Sequence, residues 1–308
     1  MMRKTMLTLG LLLAGGVHAA GMAHAAGGLV LKPEQLPPQE RLALERAIAT
    51  DKAAHPGAFA LVAKVKGCKA EGYRKNRNPM PECFRELKAL GPGVVLPMLE
   101  VLAFADRPEL AVTPAEKRAL AVGLLRAVGV ARLPVAAPVL REVFLTTADE
   151  VVRGEAAEAM GRLGSDAELK VLQAHTGDSL RWATLKGLGE CMRLESAQTL
   201  AGLLAQQPGD AADVVRALGD VSSSWAWSAM ERSGKATAAQ GSAVRTVAAQ
   251  ALVKAVAWST PEVREAIAQS LQMTEHPQTQ QWLNDAQTSA SPQLKSVYGT
   301  LAGKLQGK

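Results

Sequence analysis

"VRGEAAEAMGRLG" (residues 152–164) can be laid over "LRWATLKGLGECM" (residues 180–192) at an offset of 28. Arg153 then falls on Arg181, Met160 on Leu188, Gly161 on Gly189 and Leu163 on Cys191. "AADVVRALGDV" (211–221) continues the series about 30 residues on, its Leu218-Gly219 matching Leu188-Gly189. "VRTVAAQALVKAV" and "VREAIAQSLQM" begin the same way at Val244-Arg245 and Val263-Arg264, and "LKSVYGTLAGKL" is a looser copy. Within a copy the apolar residues recur at helical spacing: Val152, Ala156, Ala159 with Met160, then Leu163. Shorter helical stretches such as "DAELKVLQAH" and "ESAQTLAGLLAQ" lie between copies. One helix pair cannot bury its apolar face alone, whereas stacked pairs can. The expected fold is all-α, a solenoid of stacked antiparallel helix pairs.

These residues resemble the HEAT repeats, in particular the short HEAT-like units also found in phycobilisome lyases. "ADEVVRGEAAEAMGRLGS" (148–165) is similar to the family's second helix, with an acid, then Val-Arg, then an Ala-Leu-Gly type of tail. "LKALGPGVVLPMLEVL" (87–102) and "LPVAAPVLREVF" (133–144) resemble its first helix, in-helix prolines Pro97 and Pro138 included. The resemblance covers roughly residues 82–305, is densest over 87–192, and thins after 220, where "SSSWAWSAMERSGKATAAQGS" departs from it. It implies a HEAT-like superhelix, and a scaffold does not specify a function. The lyase likeness stays at the level of the repeat, with no motif that carries chromophore chemistry.

Composition agrees with helices: 48% of residues are hydrophobic and only 4% aromatic, so Ala and Leu, which lose little side-chain entropy in a helix, dominate. The first residues read as a signal, with "MMRKT", then the apolar "MLTLGLLLAGGV", then small residues. Cleavage sites are available after Ala19 ("VHAA") and after Ala25 ("AHAA"); the second leaves an extended mature start. The organisation expected is a signal peptide over 1–25 and an N-terminal helical cap with a basic, Cys-bounded loop over 26–81. A HEAT-like array follows over 82–308, irregular around 221–243. The expected location is periplasmic or secreted, in a bacterium, with no transmembrane segment in the mature chain.

Export changes how Cys68, Cys83 and Cys191 read, since an oxidising compartment favours a disulfide over a metal site. CxxC and CxxCH are absent, and no metal or cofactor motif is present. Cys191 takes the core-facing place of Leu163, as a small buried hydrophobe would. That leaves Cys68 with Cys83, a closure that stabilises by roughly 3 kcal/mol in the chain-entropy model.

The formal charge of +6 falls to +4 once Arg3 and Lys4 leave with the signal. Residues 64–88 hold eight basic side chains against Glu71, Glu82 and Glu86, a local +5, so the rest of the mature chain is nearly neutral. Within this stretch Tyr73, Arg74, Lys75 and Arg77 can hold phosphate or carboxylate groups. Export argues against nucleic acid, leaving an anionic glycan, a lipid headgroup or an acidic protein surface. Arg153 and Arg181, with Arg245 and Arg264, form either a basic ladder along the inner face for a polyanion or a structural series paired with the preceding acids, Asp149 or Glu150, Asp178 and Glu262. Trp182, two residues off the core stripe, is either an exposed interface anchor or inter-repeat packing. The local pattern does not decide whether Trp225 and Trp227 share a face.

The three histidines of the mature chain, His55, His175 and His276, are far apart, and HExxH, G-x-S-x-G, P-loop and S-x-x-K patterns do not occur. No catalytic residue is assigned. The expected function is a non-enzymatic scaffold that binds a protein partner of the cell envelope on its concave surface. The alternative is a binder of anionic envelope polymer or glycan through residues 64–88, and a third reading, implied only by the distant repeat resemblance, is an enzyme with lyase-like activity.

Overall fold

In the computed structural model the described residues are 27–65, 81–105, 109, 111 and 113–306. The expected signal segment and most of the basic loop, including Cys68, Tyr73, Arg74, Lys75 and Arg77, lie outside them. Helices α1 (Pro38–Ala54) and α2 (Pro56–Lys64) precede the loop, and α3 (Glu82–Ala89) follows it. Then come α4 (Val95–Ala103), α5 (Pro114–Ala131), α6 (Ala137–Thr146), α7 (Glu150–Leu163), α8 (Asp166–Ala174), α9 (Arg181–Glu190), α10 (Leu194–Ala205) and α11 (Ala211–Val221). The chain continues through α12 (Ser224–Arg232), α13 (Ala238–Ala255), α14 (Pro261–Thr274), α15 (Thr279–Ser289) and α16 (Pro292–Gln306). Among the described residues there is no strand.

Local signals set many of the helix ends. Thr113 and Thr237 open α5 and α13 with capping boxes closed by Glu116 and Gln240. Asp149, Ser165 and Thr260 cap α7, α8 and α14 through their side chains. Gly164 ends α7 at φ +63°, a conformation that a Cβ would disfavour. The in-helix prolines are first-turn prolines. Short 3₁₀ turns at Pro92–Val94 and Pro134–Ala136 lead into α4 and α6, so Pro97 and Pro138 fall where a missing N–H costs nothing.

The helices form two layers, an all-α solenoid. One layer runs α3, α5, α7, α9, α11, α14. The other runs α4, α6, α8, then α10, α13, α15, with Gln173 of α8 donating to Thr199 of α10 at 2.9 Å. A single continuous apolar core lies between them, including Phe144, Met160, Leu188 and Leu218. Each such side chain contributes about 1.5–3 kcal/mol by leaving water.

The repeated Leu-Gly has a packing reason. A Cβ at Gly161 would overlap the carbonyl oxygen of Gly187, and one at Gly189 would press on Ala217 of α11 at 3.3 Å. At Gly161 the backbones of α7 and α9 nearly touch, and only glycine permits it, whereas at Gly189 the approach is looser.

Two features depart from the sequence series. The Val244-Arg245 copy is in α13, which packs on α10 in the opposite layer from α7 and α9. Its distance from Val263 is one helix and a turn, so α13 and α14 are partners in a pair and not successive copies. In addition, α12 fills the irregular stretch, burying Trp227 (3% exposed) and leaving Trp225 open (76%). Both are helical, so they diverge.

At the front, α1 and α2 pack on α4. The segment before them lies against the end of α4: Leu29 N–H donates to Val101 O at 2.8 Å and Val30 N–H to Leu102 O at 3.1 Å. Carbonyls that the last turn of α4 cannot satisfy are thus capped by another part of the chain.

Candidate interaction surface

The open side of the layer containing α7, α9 and α11 carries a connected row of polar side chains. Trp182, Lys186 and Glu190 lie at i, i+4 and i+8 on α9 and share one face. Trp182 is 45% exposed, with its ring over α7: a Cβ at Gly154 would come within 2.9 Å of the indole. The Lys186 ammonium lies 5.0 Å from the centre of that ring and donates to Glu158 of α7 at 2.6 Å. Glu158 also accepts from Arg162 at 3.0 Å, and Arg162 reaches back across to Glu190 at 3.0 Å. Behind the row, Arg126 of α5 makes a two-pronged buried pair with Glu155 of α7.

The charges are unevenly supported. Burial works against the Glu158 carboxylate, but Lys186 and Arg162 outweigh it and hold its pKa below the ordinary value. Burial, then the nearby Glu158, raise Glu155 despite its bond to Arg126. Asp220 of α11 is pushed up to about 6, by desolvation first and then by Glu190 and Glu158, with Lys186 opposing. Asp220 is open to water yet crowded by α9, where a Cβ on Gly189 would come within 3.3 Å of its own Cβ.

The arginines of the sequence series are engaged within the array. Arg181 donates to both carboxylate oxygens of Asp210, 29 residues on, and to the carbonyl of Thr176. Its partner is therefore in the following unit and not the preceding Asp178, which binds His175 at 2.6 Å. Arg153 donates to the carbonyl of Thr147. Arg118 takes up Asp149 at 2.5 Å, the equivalent of the Arg181 contact. Arg245, in the other layer, caps the end of α14 through the carbonyls of Thr274 and Glu275.

Cys191 is a free, buried thiol, its pKa raised to about 11 mainly by burial. Cys83 is buried at the start of α3, and Cys68 lies outside the described residues. The histidines are not brought together: His55 contacts Asp51, His175 lies edge-on to Phe144, and His276 stacks on Trp282 at 4.7 Å. No group of three or more metal-ligating side chains occurs among the described residues. A cleft of about 520 Å³ lies between the start of α10, α12 and α13, with Met192, Arg193, Trp227 and Gln240 on its walls.

The sequence reading singled out Trp182 but missed Glu158, Arg162, Lys186, Glu190 and Asp220. The signal was in the same superposition. Aligning Gly161, Gly189 and Gly219 places Arg162, Glu190 and Asp220 in one column.

No protein-family model matches the chain, and no curated protein does. Among solved structures, human deoxyhypusine hydroxylase in complex with glycerol is similar over 84% of this chain and 98% of its own. The identity is 16% and the TM-score 0.33. A likeness of that size bears on neither activity nor ligand.

Proposed function

We propose that the chain is an exported, HEAT-like scaffold without catalytic activity that binds a protein partner on its concave surface, which we assign to the open side of the α7–α9–α11 layer. The observation that carries this reading is the half-exposed Trp182, held on a glycine shelf within a row of charges. A large aromatic fixed in place and partly open to water is the usual centre of a protein interface. Arg153 and Arg181 support that surface by fixing the loops and helix starts beside it. Export rests on the N-terminal pattern, and no described helix is long and apolar enough to cross a membrane. Cys68 and Cys83 are proposed to close the loop between α2 and α3, stapling the front of the array.

The second reading, an anionic glycan or lipid headgroup on Tyr73, Arg74, Lys75 and Arg77, is favoured by the local +5 of residues 64–88. One experiment separates the two. The mature chain is used to capture protein and glycan from envelope extract at low and high salt. The scaffold reading expects one identified protein, retained at high salt and lost with Trp182→Ala. The alternative expects anionic polymer, released by salt and lost on reversing Arg74, Lys75 and Arg77 to Glu. Capture that is indifferent to Trp182→Ala would overturn the first reading.

A further inference from the structure

The column of charges at the ends of the layer changes sign along the array. Arg162 occupies it on α7, Glu190 on α9 and Asp220 on α11. Arg162 already serves Glu190 and Glu158. Asp220 is left near a second carboxylate, and the cation that reaches it, Lys186, is bonded to Glu158. The nearest basic residue on its helix, Arg216, pairs with Asp213 at 2.7 Å. On the far side α14 packs against α11 through Ser270 at Gly219, and α14 carries no lysine or arginine after Arg264. Glu190 and Asp220 both stand in the last turn of their helices, where the carbonyl ends already concentrate negative potential. Two acids placed together against the helix dipole are unfavourable in the free protein. A cation set between them would relieve both the repulsion and the dipole.

The same face has an apolar anchor at a definite distance. Asp220 lies level with Gly189, seven residues beyond Trp182 along α9, which is about 10 Å at the helical rise. One helix spacing across adds about 9 Å, so the two are about 14 Å apart. An extended chain covers that span in about four residues.

We propose that this face docks an extended polypeptide segment whose arginine or lysine enters between Glu190 and Asp220 while an apolar side chain about four residues away packs on Trp182. This rests on the protein-binding reading above and adds to it the chemistry of the partner.

The test uses a phage-displayed library of twelve-residue peptides panned on the mature chain, and the affinity of the enriched peptides for variants. The expected peptides share a basic and an apolar residue about four positions apart. Their Kd should rise tenfold or more with Asp220→Asn and with Trp182→Ala, and stay within twofold with Trp225→Ala on α12. Replacing the peptide's basic residue by Ala should cost the same tenfold, with no further loss on Asp220→Asn. Asp220→Lys, checked for helical content, should repel the same peptides. Enrichment of other sequences, or a Kd within twofold on both Asp220 variants, overturns the proposal. If only Trp182→Ala weakens binding, the basic docking falls and the open-face reading stands. If neither position matters, both fall.

Discussion

Arg181, the first residue of α9, donates Nε to Asp210 Oδ2 at 2.5 Å and Nη2 to Oδ1 at 2.9 Å, just before α11 begins. Asp210 stands where an N-cap would, yet its side chain caps nothing, because both oxygens are turned to the neighbouring unit. A planar guanidinium is needed to meet both at once. Arg181→Lys should therefore cost about 1 kcal/mol, at the upper end for a partly exposed pair, and thermal melts would record it. The bond to Arg181 holds the Asp210 carboxyl below its ordinary pKa. The contribution is thus present above the unfolded carboxylate range and lost as pH falls through the folded pKa. Equal melts of Arg181→Lys and the parent at pH 7 would remove the claim.

Gly161→Ala forces a methyl group onto the Gly187 carbonyl, backbone against backbone, with no flexible end to move aside. A loss of about 3 kcal/mol is expected, as for an overpacked core. Gly202, inside α10, has nothing within 4 Å of an added Cβ. Gly202→Ala should gain roughly 0.5–1 kcal/mol from helix propensity. Urea melts of the two variants should move in opposite directions, and a shared direction would contradict the packing.

Asp220 gives the opposite pH dependence from Asp210. Its folded pKa of about 6 lies above the unfolded value of about 3.9, so the native state holds this proton more tightly. Stability from this group is greatest below the unfolded value and declines as pH rises through about 6. Asp220→Asn should raise the Tm at pH 7.5 and change it little at pH 4. A lower Tm at pH 7.5, or a carboxyl titration by NMR below 4.5, would refute the crowding described.

Cys191 is protonated at neutral pH and shielded by its surroundings. Iodoacetamide at pH 8 should leave it unlabelled in the native protein and label it in urea. Rapid native labelling would show that the site opens. Peptide mapping without reduction, on protein recovered from the envelope as the export proposal expects, should find Cys68 joined to Cys83, and free thiols at both would end the staple proposal.

Much of the architecture was legible because helix patterning is local. The apolar stripe Val152, Ala156, Met160, the capping Asp149 and the terminating Gly164 act within one helix and can be read in order. The stacking of α7 on α9 followed from the offset of 28 and from glycines that permit contact. What could not be read was which helix each charged side chain would meet. Arg181 bonds Asp210 and not Asp178 because α9 and α11 lie side by side at that level, a fact of packing and not of spacing.

The sequence by itself determined that this chain makes helices in pairs and that the pairs stack, because burial of an interrupted apolar stripe allows little else. It also determined the two halves of the Trp182 shelf, since Gly154 and Trp182 fall in one column. Only the tertiary structure decided that α12 packs on α13, that α13 crosses to the layer of α10, and that Asp220 comes near the carboxylates of Glu190 and Glu158. Those outcomes depend on distances between helices, and electrostatic energy follows distance in space whatever the separation along the chain.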